Sequence, residues 1–147
     1  MRDGALTIAA ATLAALAIDH MFRQSLSRDY VAFYTSPLLP RTPLTCLVAL
    51  GEEAKFRLVL MTALFFAVAK SCGHVSSGWA CAVIAASQLA NVSVLLVADP
   101  LYGSLRWWLI GCLWGWLYWR HGWTTAATAH GLTHCVLDPL LLHTLQP

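Results

Sequence analysis

The sequence predicts an all-α protein: a single-domain, polytopic bundle of about five transmembrane helices spanning residues 1–147. Three observations predict it. Of the 147 residues, 59% are hydrophobic and 11% charged, whereas a soluble domain carries about 25% charged residues. Mean hydropathy is +0.64. The apolar residues fall in runs of about 20, the length a helix needs to cross a hydrocarbon core about 30 Å thick. So few charges cannot cover a water-facing surface, and the lipid bilayer is the expected surrounding. The composition excludes a disordered chain. A net charge of +2 is too small for a phosphate-binding footprint, which excludes nucleic acid as a partner. Cys46, Cys72, Cys81, Cys112 and Cys135 stand singly, odd in number and without a CxxC pair. They read as small buried hydrophobes rather than zinc ligands or a disulfide framework.

The first span, residues 4–22, is alanine-rich, with Asp19 and His20 near its end. Its Ala15-Leu16-Ala17 triplet also looks like a signal-peptide cleavage site, although Met1-Arg2-Asp3 lacks a positive excess. Residues 23–43 are the most polar stretch, and Pro37, Pro40 and Pro43 interrupt helical hydrogen bonding. That predicts an extramembrane loop with an interfacial turn at residues 30–34. The second span, 44–69, carries Glu52, Glu53, Lys55 and Arg57. The third, 79–98, is interrupted by Ser87, Gln88, Asn91 and Ser93, and Asp99-Pro100 turns the chain. The fourth, 105–119, holds five of the seven tryptophans, residues that favour membrane interfaces. Its Gly111 and Gly115 are four apart, so a neighbouring helix can approach closely there. The fifth, 123–142, is bent or ended by Pro139. Loop charges are too evenly divided to orient the bundle.

An ionisable group at membrane depth costs about 2.5–3.5 kcal/mol, so those inside apolar runs need a reason. On a helix Glu53 and Arg57 are four apart and can pair. Glu52 lies about 100° round from Glu53 and is free to face another environment. The plainer alternative is a solvated helix start. His130 and His134 share one helical face. They resemble the HExxH box of zinc proteases, except that Gly131 stands where the glutamate would be. Hydrogen-bonded packing is their plainer alternative. His74, His121 and His143 read as interfacial. Ser87 and Asn91 share a face, for which interhelical hydrogen bonding suffices. Carboxylates, an amide and paired imidazoles on three helices can nonetheless meet at one buried polar site.

Glu52-Glu53-x-x-x-Arg57 reproduces the EExxxR motif of the CPBP family, the CAAX proteases and bacteriocin-processing proteins. Gly111-x-x-x-Gly115-Trp116-Leu117-Tyr118-x-Arg120-x-Gly122, followed by Ala129-His130, is similar to that family's last two core helices. The resemblance runs from about residue 44 to the end of the sequence. Two positions depart from it. The family's FxxxH reads Ser87-x-x-x-Asn91 here, and its HxxxN reads His130-x-x-x-His134. Two histidines and one asparagine are kept, with two places exchanged; loss of activity by drift is the alternative. In its short length the chain is similar to compact bacterial members that process C-terminal sorting tails, of the JDVT-CTERM type.

The resemblance implies a glutamic-type intramembrane endopeptidase, in a bacterial inner membrane, acting without metal or cofactor. Its substrate would be a membrane-anchored peptide or C-terminal protein tail. Glu52 would be the general base on water, and Arg57 would pair with Glu53. His134 would take the water-sharing role of the family's middle-helix histidine. His130 and Asn91 would donate to the oxyanion. Two other readings stay open: a zinc protease with His130, His134 and Glu52 as ligands, and a non-catalytic scaffold or transport protein. Serine and aspartyl intramembrane proteases are disfavoured, since neither GxSG nor GxGD occurs.

Overall fold

A computed structural model describes residues 2–146, apart from the side chains at 94 and 96–98. The described residues form six helices and no strand. They are α1 (Arg2–Met21), α2 (Arg28–Thr35), α3 (residues 38–72), α4 (Ser77–Ala98), α5 (residues 100–121) and α6 (Trp123–Leu145). The five long helices, α1 and α3–α6, correspond to the five spans expected from sequence. α3 and α5 each contain a wide-turned π stretch, Glu53–Met61 and Ser104–Leu109. Gly73 and Gly122 stand at φ 76° and 82°, conformations in which a side chain is strained, and they end α3 and α5.

Residues 23–43 are not a loop. The Ser27 hydroxyl caps α2 by accepting from the Tyr30 N–H at 3.1 Å, and α3 starts at Leu38. The prolines sit where a helix tolerates them. Pro37 is the N-cap and Pro40 lies in the first turn, whose N–H groups have no intrahelical acceptor. Pro43 is carried within α3. Pro139 likewise lies inside α6, which continues to Leu145.

A regular spacing runs along α3. Arg41, Thr45, Ala49, Glu53, Arg57 and Met61 are all buried, four residues apart. In an α-helix such a row advances about 40° per step around the axis. The π stretch closes its turns i→i+5 and so turns the row back. The change of turn geometry begins at Glu53, and it keeps both Arg41 and Met61 facing the bundle.

α6 is the central helix and packs against α1, α2, α3 and α5. Ala11 and Ala15 of α1, Trp114 and Leu117 of α5, and Leu137 and Leu141 of α6 form one core cluster. Small residues bring α1 close. The Gly111–Gly115 face does the same for α4: a Cβ at Gly111 would lie 2.0 Å from Gln88 Nε2, and one at Gly115 2.7 Å from Ile84 Cγ2. Asp19, buried, pins the end of α1. Its Oδ1 accepts from Arg106 Nε at 3.0 Å and from the Tyr102 hydroxyl at 2.8 Å, and its Oδ2 accepts from the Tyr30 hydroxyl at 2.6 Å. α1 thus supplies interior residues to the bundle.

Large apolar side chains face outward, and several charges lie inside among the apolar core. Leu13, Leu39, Leu47, Val59 and Phe66 point outward, while Asp19, Arg41, Glu53, Arg57, Arg106 and Asp138 are buried. Among the described residues, Arg2–Met21 is the one helix that alone is long and apolar enough to cross a membrane. The cysteines depart from expectation. Cys72, Cys81 and Cys135 are exposed, and Cys46 and Cys112 are only partly covered. On an outer surface that is itself apolar, a thiol gains little by moving inward.

Candidate active site

Glu52 is the last residue of the α-helical part of α3, and Glu53 is the first of its π stretch. The two carboxylates diverge. Glu52 is half-buried and lines a cavity of about 360 Å³; Glu53 is completely buried behind it. Asn91 from α4, Arg57 from α3, and His130 and His134 from α6 line the same cavity. Five of the six expected site residues therefore line one cavity, and the sixth, Glu53, is buried beside it. Lys55 is exposed on the outside of α3.

Each imidazole rests on a buried carboxylate. His130 Nδ1 is 3.0 Å from Glu53 Oε1, and Arg57 Nε is 3.6 Å from the same oxygen. Arg57 Nη2 also donates to Gln88 Oε1 and, at 2.9 Å, to the Gly111 carbonyl. One guanidinium thus joins α3, α4 and α5 behind the cavity. The second unit pairs the same residue types but spreads its contacts over both carboxylate oxygens, whereas Glu53 Oε2 has no partner among the described residues. His134 Nδ1 is 3.2 Å from Asp138 Oδ1. Asp138 Oδ2 accepts from the Thr45 hydroxyl at 2.9 Å and faces Arg41 Nε at 3.8 Å. Arg41 Nη2 donates to the Asp138 carbonyl oxygen at 3.0 Å. The imidazoles stack with centroids 5.5 Å apart, and Trp114 stacks on His130 at 5.0 Å.

This geometry constrains the protons. Against an ionised carboxylate, which only accepts, each Nδ1 would carry the hydrogen and each Nε2 would be the polar atom left for the cavity. The charges balance locally, with one arginine to each buried acid. Sequence reasoning misses Asp138 and places Arg41 in a loop. A signal for Asp138 exists: it is an acid inside an apolar run and completes the face His130-x-x-x-His134-x-x-x-Asp138. Among the described residues no three His, Cys, Asp or Glu side chains cluster closely enough to hold a metal ion. The trio His130, His134 and Glu52 shares the cavity without forming such a cluster.

Fold and site define a class: a helical membrane protein with a half-open cavity in which a few polar side chains interrupt a mostly apolar lining. A family model described as type II CAAX prenyl endopeptidase Rce1-like matches residues 34–136, and the chain belongs to this family of integral-membrane, CAAX-type proteases. The match agrees with the CPBP resemblance. It takes in Glu52, Glu53, Arg57, Asn91, His130 and His134, and it stops short of Asp138. Neither the curated proteins nor the solved structures compared with the chain gave a match.

Proposed function

We propose that the chain is a glutamic-type endopeptidase in which Glu52 takes a proton from a water in the cavity. The observation that carries this is the divergence of the two glutamates. Glu52 lines the cavity with no hydrogen bond or ion pair to a described residue, while Glu53 is committed to His130 and Arg57.

The scissile carbonyl enters the cavity, and the water's oxygen attacks its carbon as the proton passes to Glu52. The His134 Nε2 lone pair accepts the water's second hydrogen and aims its oxygen. The Asn91 amide N–H donates to the oxyanion, joined by His130 Nε2–H when that ring is protonated against Glu53. Collapse breaks the C–N bond, and Glu52 returns its proton to the leaving nitrogen. The substrate is a membrane-anchored peptide or the C-terminal tail of a membrane-bound protein, reaching the site across the apolar outer face.

The test is cleavage of two membrane-anchored reporters, one with a prenylated C-terminal tail and one with an unmodified hydrophobic tail. Wild type is expected to cleave at least one, and Glu52→Gln neither. Full activity in Glu52→Gln would overturn the proposal. Loss of wild-type activity in a chelator, restored by zinc, would replace it with the metal-dependent alternative.

A further inference from the structure

We propose that Asp138 is the positioning residue of His134, and that Asp138, Arg41 and Thr45 together allow a histidine to work where the family resemblance has an asparagine. The inference rests on the function proposed above, and concerns a residue outside the matched segment 34–136.

An amide and an imidazole make different demands on their surroundings. An asparagine always presents an N–H and a carbonyl, so it needs no help to remain a donor. A neutral imidazole has two tautomers, and only one of them offers Nε2 as an acceptor. A histidine at position 134 therefore needs something to hold the hydrogen on Nδ1. Asp138 is placed one helical turn on, with Oδ1 3.2 Å from Nδ1.

A carboxylate there is costly to bury unless its charge and remaining lone pairs are met. Arg41, 2% exposed, supplies a counter-charge 3.8 Å from Oδ2, beyond hydrogen-bond reach, and the Thr45 hydroxyl, which also lies 2.9 Å from the Thr42 carbonyl, can donate to Oδ2 at 2.9 Å. Arg41 and Thr45 are four apart on α3, the helix that carries Glu52. The element that positions the proposed base thus also supplies the support for Asp138.

The neighbouring unit uses the same construction: His130 Nδ1 on Glu53, with Arg57 as the counter-charge. Two histidines, stacked 5.5 Å apart, are oriented by two different acids. Glu53 belongs to the EExxxR motif and Asp138 does not.

A bare structural role is the competing account, in which the Arg41–Asp138 pair only ties α3 to α6. Three measurements separate the two. The first is 15N NMR of His134 in the folded wild-type protein, which should show a hydrogen on Nδ1. A mixed tautomer would overturn the proposal, and this readout holds even if no reporter is cleaved, the result that would sink the proposed function instead. The second is turnover. Asp138→Asn should lower kcat about 10²–10⁴-fold with little change in KM, and Asp138→Glu should recover part of it. The third is a double-mutant cycle. In a His134→Asn background, Asp138→Asn should cost nothing further, because the two act as a unit. Wild-type turnover in Asp138→Asn, or an equal loss in both backgrounds, would leave Asp138 as an interhelical tie only. Should Asp138→Asn fail to fold, Asp138→Glu carries the comparison: a loss of turnover beside His134 that vanishes in the His134→Asn background supports the proposal, and an equal loss in both overturns it.

Discussion

Two regions of this bundle bury an acid against an arginine, and they do so to different ends. At the end of α1, Asp19 takes hydrogens from Arg106, Tyr102 and Tyr30. Guanidinium and phenol groups keep their protons near neutral pH. Everything around Asp19 therefore holds still, and the cluster is a fastener for α1, α2 and α5. At the cavity, Glu53 and Asp138 each lie within hydrogen-bond distance of an imidazole Nδ1, and the second ring nitrogen is left over. Imidazole is the side chain that gains and loses a proton in the physiological range. A buried charge therefore does not by itself mark chemistry. What marks it is a partner with one atom still to offer, placed on a cavity wall.

Substitutions on the two sides should separate turnover from stability. The largest effect is expected for Glu52→Gln, which should abolish cleavage while the protein still accumulates in membranes, as read by immunoblot of membrane fractions beside a reporter assay. Next comes His134→Asn, with a loss of about 10²–10⁴-fold. Asn91 lines the same cavity as His134, so adding Asn91→His should recover part of that loss; a double variant no better than the single one would show that the two places are not exchangeable. Glu53→Gln should lower both turnover and melting temperature, because it loosens His130 and leaves Arg57 without its counter-charge. Arg106 also lines the cavity, but its guanidinium has no proton to exchange there, so Asp19→Asn should leave turnover per folded molecule unchanged. It should cost about 3–5 kcal/mol of stability through the stranded Arg106, measured by thermal unfolding in detergent. A fall in turnover for Asp19→Asn would erase the distinction between the two regions.

The helical framework was legible because apolar runs of membrane length are a strong signal, and the glycine face of α5 was legible from its spacing. Residues 23–43 misled because a proline count takes no account of position. Pro37 and Pro40 fall at a helix start, where a missing N–H removes nothing. That the adjacent glutamates face different surroundings followed from the rotation per residue. The π stretch that begins between them leaves no mark in composition or spacing. Arg41 was misplaced with its loop, and its contact with Asp138 joins residues 97 apart, beyond the reach of local pattern. Asp138 itself stood in view four residues after His134, and the rule that singled out Glu52–Arg57 applies to it equally.

The Asp19–Arg106 contact joins residues 87 apart, and that separation bears on how the protein is made. During synthesis α1 emerges long before α5, so its carboxylate meets the bilayer without its cation. Asp19 lies near the end of a helix that is by itself long and apolar enough to cross a membrane, so α1 can insert at once with that end waiting at the lipid surface, where a carboxylate costs less than the about 2.5–3.5 kcal/mol of one at the membrane centre. Arrival of Arg106 would then draw the end of α1 against α5, so the helix docks later than it inserts. In a nascent chain halted before residue 104 the Asp19 carboxylate should be open to a water-soluble carbodiimide, whereas one extended through α5 should protect it.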